Sequence, residues 1–178
     1  MKKVLILSGS PRKSGNSDIL CDEFMRGAIE AGNEVEKIRV TEKKIAPCTG
    51  CYFCRNSGGR CALNDDMTEV LQKIIDCDVL VLSSPVYFYS ICAQLKAVID
   101  RLYVTENREF SISGAILLAT YATAGSEMSR QTEEYFKCLL DYHEWENKGI
   151  ITVSSLDEKD DIVGNEALLY AEHLGESI

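Results

Sequence analysis

Five short apolar-rich runs recur along the chain: KVLILSG from Lys3, EVEKIRV from Glu34, DVLVLSS from Asp78, GAILLATY from Gly114 and GIITVSS from Gly149. Runs of this length and composition predict strands of a parallel sheet covered on both faces. Between them the apolar spacing changes to every three or four residues, the period of an amphipathic helix. NSDILCDEFMRGAIEAG places Leu20, Phe24 and Ala28 on one face and stops at Gly32. DMTEVLQKIID offers Asp66 as N-cap, Glu69 three residues on, and a stripe of Met67, Val70, Leu71, Ile74 and Ile75. SICAQLKAVIDRL repeats the pattern through Leu95, Val98, Ile99 and Leu102, and SEMSRQTEEYFKCLL through Met128, Tyr135, Phe136, Leu139 and Leu140. After the acidic loop DEKDD, Ala167, Leu168, Ala171 and Leu174 mark the inward face of a last helix.

Alternating strands and helices predict an α/β fold, a doubly wound parallel sheet between two helical layers, joined by right-handed crossovers. At 178 residues, 46% hydrophobic and 26% charged, the chain is expected to form one domain over 1–178, with a cysteine-rich loop at about 47–64. A formal charge of −9 argues against a nucleic-acid partner, which needs clustered cations to displace counterions. No run approaches the roughly 18 apolar residues of a membrane span, and MKKVLILSGSP is too short in its apolar part for a signal peptide. A cytoplasmic protein without a membrane partner is expected.

The loop SGSPRKSGNS follows the first strand, and open sheets of this kind bind ligands beyond the carboxyl ends of their strands. Gly15 permits a tight turn, Asn16 or Ser17 can cap the helix, and the N–H groups at the helix start attract an anion. Ser10, Ser17 and Arg12 add further donors. Five residues separate Gly9 from Gly15 and Asn16 replaces the lysine of a Walker loop, while the GxGxxG fingerprint is absent. A single phosphate suits this loop, and a solvated polar turn is the plain alternative. The loop after the third strand, SSPVYFYSICAQLK, sets Tyr87, Phe88 and Tyr89 close to Pro85, where aromatic rings can flank a flat heterocycle or pack on the core.

SGSPRKSGNS together with SSPVYFYSICAQLKAVIDR resembles the NAD(P)H-dependent FMN reductase family of flavodoxin-like proteins, over nearly the whole chain. The resemblance implies a flavodoxin-like five-stranded sheet in the order 2-1-3-4-5. It implies an FMN phosphate held by Ser10, Arg12, Asn16 and Ser17, and an isoalloxazine lined by Pro85, Val86, Tyr87, Phe88 and Tyr89. TYATAGSE, after the fourth strand, matches the family more loosely and suggests Thr123 and Gly125.

Eight cysteines without a secretion signal are expected to stay reduced. Cys48, Cys51, Cys54 and Cys61 fall within PCTGCYFCRNSGGRCALNDDM in the spacing C-x2-C-x2-C-x6-C. Four thiolates so close in sequence can ligate zinc or an iron-sulfur cluster, and the repeated C-x2-C favours wrapping a cube. The segment, with its trailing DDM, resembles the compact motif of the iron-sulfur flavoproteins, a branch of the same family. A 4Fe-4S cluster, zinc and metal-free thiols all fit this spacing, and a disulfide formed in air would be secondary. Cys21, Cys92 and Cys138 in helices and Cys77 at a strand opening suit small apolar positions, and His143 and His173 are expected to pack or face solvent.

The resemblance implies an oxidoreductase that takes hydride from NAD(P)H onto FMN and passes electrons to a flavin, quinone or redox-protein acceptor, through the cluster if one is held. The cofactor carries this chemistry, so no catalytic side chain is expected. A flavodoxin-like electron carrier is the alternative, separated from the enzyme by nicotinamide oxidation. Apolar groups such as Tyr52, Phe53 and Phe88 around the flavin imply a homodimer or homotetramer.

Overall fold

In a computed structural model, which describes residues 1–107 and 109–178, the apolar runs form the centre of the molecule. They are β1 (Lys3–Ser8), β2 (Glu34–Arg39), β3 (Val79–Tyr87), β5 (Gly114–Thr120) and β6 (Glu146–Val153). These pair in parallel in the order β2-β1-β3-β5-β6, and the two-residue β4 (Ser90–Ile91) pairs antiparallel on β3. The expected order 2-1-3-4-5 of the five main strands is therefore present, with β4 added at the side.

Side-chain alternation along the central strands divides the core into two layers. Leu5, Leu7, Leu80, Leu82 and Leu117 pack with α2 (Met67–Asp76), α3 (Ala93–Asp100) and α4 (Glu127–His143). Val4, Ile6, Val79, Val81, Ile116 and Leu118 pack on the other face with α1 (Asn16–Glu30) and α5 (Ala167–Glu176). No helix among the described residues is long and apolar enough to cross a membrane.

Several element boundaries differ from expectation. Helix α1 is capped by Gly15 rather than by Asn16 or Ser17, with no side-chain capping hydrogen bond. Asp66 occupies the N-cap of α2, but its carboxylate accepts the Lys44 N–H, leaving Asp65 to accept the Met67 N–H at 3.2 Å. Ser90 and Ile91 fold back on β3 as β4 instead of opening α3. The last strand begins at Glu146, ahead of Gly149, because a register shift opposite Ala115 and Ile116 accommodates the polar lead-in. Cys138 is exposed on α4, while Cys21, Cys77 and Cys92 are buried. His143 packs against Trp145, Phe110 and Tyr142.

Helices α1 and α5 cross with almost no space between their backbones. A Cβ on Gly27 would overlap the Glu172 carbonyl, and one on Gly175 the Phe24 carbonyl. In an open helix, alanine would be the better residue by about 0.5–1 kcal/mol. Here the overlap outweighs that preference. Gly27→Ala is expected to destabilise the fold by about 1–3 kcal/mol, read as a lowered urea midpoint at unchanged slope; a raised midpoint would contradict the close crossing.

Candidate functional site

The carboxyl ends of β1, β3 and β5 surround a cleft of about 190 Å³. The first loop supplies Ser10, Arg12, Gly15, Asn16 and Ser17 to its wall; β3 and its end supply Pro85, Val86 and Tyr87. Thr123 completes the expected lining. Phe88, Tyr89 and Gly125 do not line this cleft.

One carboxylate shapes the first loop. Asp18, in the first turn of α1 and 5% exposed, accepts the Ser8 hydroxyl at 3.2 Å and the Ser14 N–H at 3.0 Å. Its oxygens also meet Lys37 at 2.6 Å and Arg39 at 2.5 Å, both on β2. Burial by itself would raise the Asp18 carboxyl, but Lys37, the Ser14 N–H and Arg39 together hold it below its ordinary value. Arg39 and Thr41 also donate to the Ser10 carbonyl, at 3.2 and 3.4 Å. The loop is thus bonded from beneath.

The wall above carries anion donors. Asp18 and Ile19 donate their N–H groups to Gly15, so those of Asn16 and Ser17 lack an intrahelical acceptor at the positive end of α1. A Cβ on Gly15 would lie 3.1 Å from Arg12 Cβ and 3.3 Å from Ser10 Oγ, filling the cradle. The Asn16 side chain is committed elsewhere, donating to the Glu158 carbonyl at 2.8 Å and accepting the Ile162 N–H at 3.4 Å. What Asn16 can offer an anion is its backbone N–H. These donors fit the phosphate of FMN.

Phe88 and Tyr89 form a two-residue hairpin turn between β3 and β4, with φ of 47° and 67°. That left-handed geometry favours Asn and Gly. Phe88 is 94% exposed at its tip, and Thr132 donates to the Tyr89 carbonyl at 3.1 Å, fixing the turn to α4. Gly125 acts indirectly, accepting the Tyr121 hydroxyl at 2.9 Å. Thr120, Tyr121, Ala122, Leu156 and Asp157 line the cleft without having been singled out in the sequence, and Met128, expected only in the apolar stripe of a helix, joins them. Their signal was positional, since the ends of β5 and β6 open on the same sheet edge.

A second cleft, of about 360 Å³, collects all four clustered cysteines: Cys48, Cys51, Cys54 and Cys61. Gly58 and Gly59, with φ of 64° and 74°, turn the segment back so that Cys61 rejoins the others. Tyr52 and Tyr103 meet edge to face at 6.1 Å on its wall, and the Arg55 guanidinium lies over the Tyr52 ring at 4.8 Å. The Cys51 thiol is held below its ordinary pKa by the Phe53 backbone and the Thr49 side chain. By contrast, burial pushes Cys21 and Cys77 up to about 12, which makes them inert. Among the described residues, no three cysteine sulfurs gather within 4.8 Å. A zinc ion with bonds of about 2.3 Å would hold tetrahedral thiolates about 3.8 Å apart. Four thiol donors around one cleft can serve a 4Fe-4S cluster. The two clefts share no lining residue.

A family model described as NADPH-dependent FMN reductase matches residues 2–154. The chain belongs to that family. It is an oxidoreductase of the iron-sulfur flavoprotein branch, within a family that works with FMN and NAD(P)H. It is 36% identical to an iron-sulfur flavoprotein of Methanocaldococcus jannaschii over 132 residues, 72% of this chain and 68% of that protein. It is 30% identical to an iron-sulfur flavoprotein of Methanosarcina thermophila over 143 residues, 80% and 72% of the two chains. In fold it matches the NAD(P)H:quinone oxidoreductase from Methanothermobacter marburgensis with a TM-score of 0.75 at 18% identity, covering 99% of this chain and 96% of that one. An azoreductase from Bacillus anthracis str. Sterne matches with a TM-score of 0.76 at 15% identity, each chain covered completely.

Asp18→Asn is expected to lower the stability of the protein at pH 7 by about 1.5–3 kcal/mol, the weight of hydrogen bonds to a charged group. Because the folded pKa is depressed below 3.8, the Asp18 contribution is present above that pH and lost as pH falls through the folded value. Wild-type and variant urea midpoints should therefore converge below about pH 4. A constant gap down to lower pH would contradict the ion-paired carboxylate.

Proposed function

We propose that this oxidoreductase binds FMN in the cleft at the ends of β1, β3 and β5, accepts electrons from NAD(P)H and delivers them through a 4Fe-4S cluster on Cys48, Cys51, Cys54 and Cys61. The observation that carries the flavin site is the convergence of the first-loop donors and the Pro85–Val86–Tyr87 segment on one cleft. Arg12 and the hydroxyls of Ser10 and Ser17, with the N–H groups of Asn16 and Ser17, hold the phosphate. Pro85, Val86, Tyr87 and Thr123 lie against the ring system, and the hairpin of Phe88 and Tyr89 stands at the rim. Gly125 orients Tyr121.

When bound, FMN accepts hydride and releases electrons, and an iron-sulfur cluster passes them singly. The chain's own task is to bind, orient and exclude water. The acceptor is a quinone, a free flavin or a redox protein, in the reducing setting of the cytoplasm that thiolate ligands require. A second copy of the chain covers the exposed rings of Tyr52, Phe53 and Phe88.

Protein purified without oxygen and loaded with FMN should contain iron and sulfide in 4Fe-4S proportion, and NADH or NADPH should bleach its flavin bands. Bands untouched by both nucleotides would overturn the reductase in favour of an electron carrier; bleached bands without iron or sulfide would remove the cluster alone. Arg12→Ala should weaken FMN binding roughly 10- to 150-fold, from charge-assisted bonds worth about 1.5–3 kcal/mol. Unchanged affinity in a flavin titration would reject the phosphate site. Light scattering of the FMN-loaded protein should give a dimer or larger, and a monomer at every concentration would rule out the covering copy.

A further inference from the structure

The cysteine segment is closed at its base by one buried arginine. Arg101, directly after α3, is 2% exposed, yet it lines the cysteine cleft. Its Nη1 donates to Asp65 Oδ2 at 2.6 Å and to the Ala46 carbonyl at 3.2 Å. Asp65 Oδ2 in turn accepts the Ala46 N–H at 2.9 Å. Ala46 and Asp65 stand on either side of the four cysteines, so this ring of hydrogen bonds ties the two ends of the segment together. Fixing those ends needs only Nη1.

The guanidinium has more donors than that task uses. Nη2 donates to Cys61 Sγ at 3.3 Å, and Nε is buried without a hydrogen-bond partner. A fully desolvated cation is costly unless each donor meets an acceptor or a negative charge. One carboxylate and one carbonyl leave this arginine under-supplied. A cluster with thiolate ligands would bring the missing negative charge to the side where Nη2 already points.

We propose that Arg101 is a positioning residue for the 4Fe-4S cluster, fixing the Cys61 limb and raising the cluster's reduction potential by donating to the ligating sulfur. This rests on the cluster assignment under Proposed function. Reduction adds negative charge to the cluster, and a donor on a ligating sulfur stabilises the more charged state. Lysine at this position would keep the charge, but its compact ammonium lacks the planar fork that serves Asp65, Ala46 and Cys61 together.

The test compares anaerobically reconstituted, FMN-loaded wild type with Arg101→Lys, using redox titration monitored by electron paramagnetic resonance. Arg101→Lys should retain flavin and cluster but show a more negative midpoint potential and shifted iron-thiolate stretching bands in the resonance Raman spectrum. A potential and bands equal to wild type would overturn the inference while leaving the cluster intact, and Arg101 would then be a structural pin. Wild type without iron and sulfide would overturn the cluster and the inference together. Should Arg101→Lys fail to load, protein carrying Arg55→Lys and Arg60→Lys and labelled with 15N-arginine decides. A weak nitrogen coupling to the reduced cluster supports Arg101 as donor, and its absence refutes it.

Discussion

The buried Asp18 carboxylate is the interaction on which the first loop and the cleft it lines depend. It joins β1 through Ser8, the first loop through Ser14, and β2 through Lys37 and Arg39. An anion-binding loop has to keep its donors facing the ligand even when no ligand is present, and a polar loop without internal bonds would collapse on its own carbonyls. Asp18 meets part of this need from below, accepting the Ser14 N–H and pairing with Arg39, which donates to the Ser10 carbonyl, while Arg12 and the first N–H groups of α1 line the cleft. A carboxylate in the first turn also suits the positive end of the helix. Lys37 and Arg39 offset its charge so that it does not repel a phosphate.

Close backbone approach supports the same site from the side. Gly9 donates to the Ser83 carbonyl at 2.8 Å, and a Cβ there would lie 2.6 Å from Cys92 Sγ. The Cys92 thiol donates to the Gly9 carbonyl at 3.0 Å. The first loop, the end of β3 and the start of α3 are therefore one packed unit. The hairpin of Phe88 and Tyr89 stores backbone strain at the cleft's rim, since aromatic residues rarely adopt two successive left-handed conformations.

The two clefts are built on different principles. The cleft at the ends of β1, β3 and β5 is framed by strand ends and a helix start, which hold their shape through sheet and helix hydrogen bonds. The cysteine cleft is a loop closed at its base by Arg101, Asp65 and Ala46, with Gly58 and Gly59 turning its far limb. Rigidity there comes from a few side-chain bonds. A bound cluster would add the cross-links that the loop's own backbone lacks.

The sequence by itself determined the sheet, because apolar runs and helical periods depend on near neighbours and on burial of whole faces. It also determined that the loops at the ends of β1 and β3 share one edge of the sheet, since strand-to-helix order alone puts them there. The cysteine spacing carried the candidate metal site, and the glycines at 58 and 59 showed how Cys61 could return. Tertiary structure alone decided that Asn16 turns its amide to residues 158 and 162, that Phe88 and Tyr89 leave the cleft wall, and that Tyr121 and Asp157 join it. Only the fold could show Arg101 bonded to Ala46, Asp65 and Cys61, or Gly27 against Glu172. Each of these depends on atoms brought together from distant parts of the chain, and no local pattern of polar and apolar residues encodes which distant partner a side chain will meet.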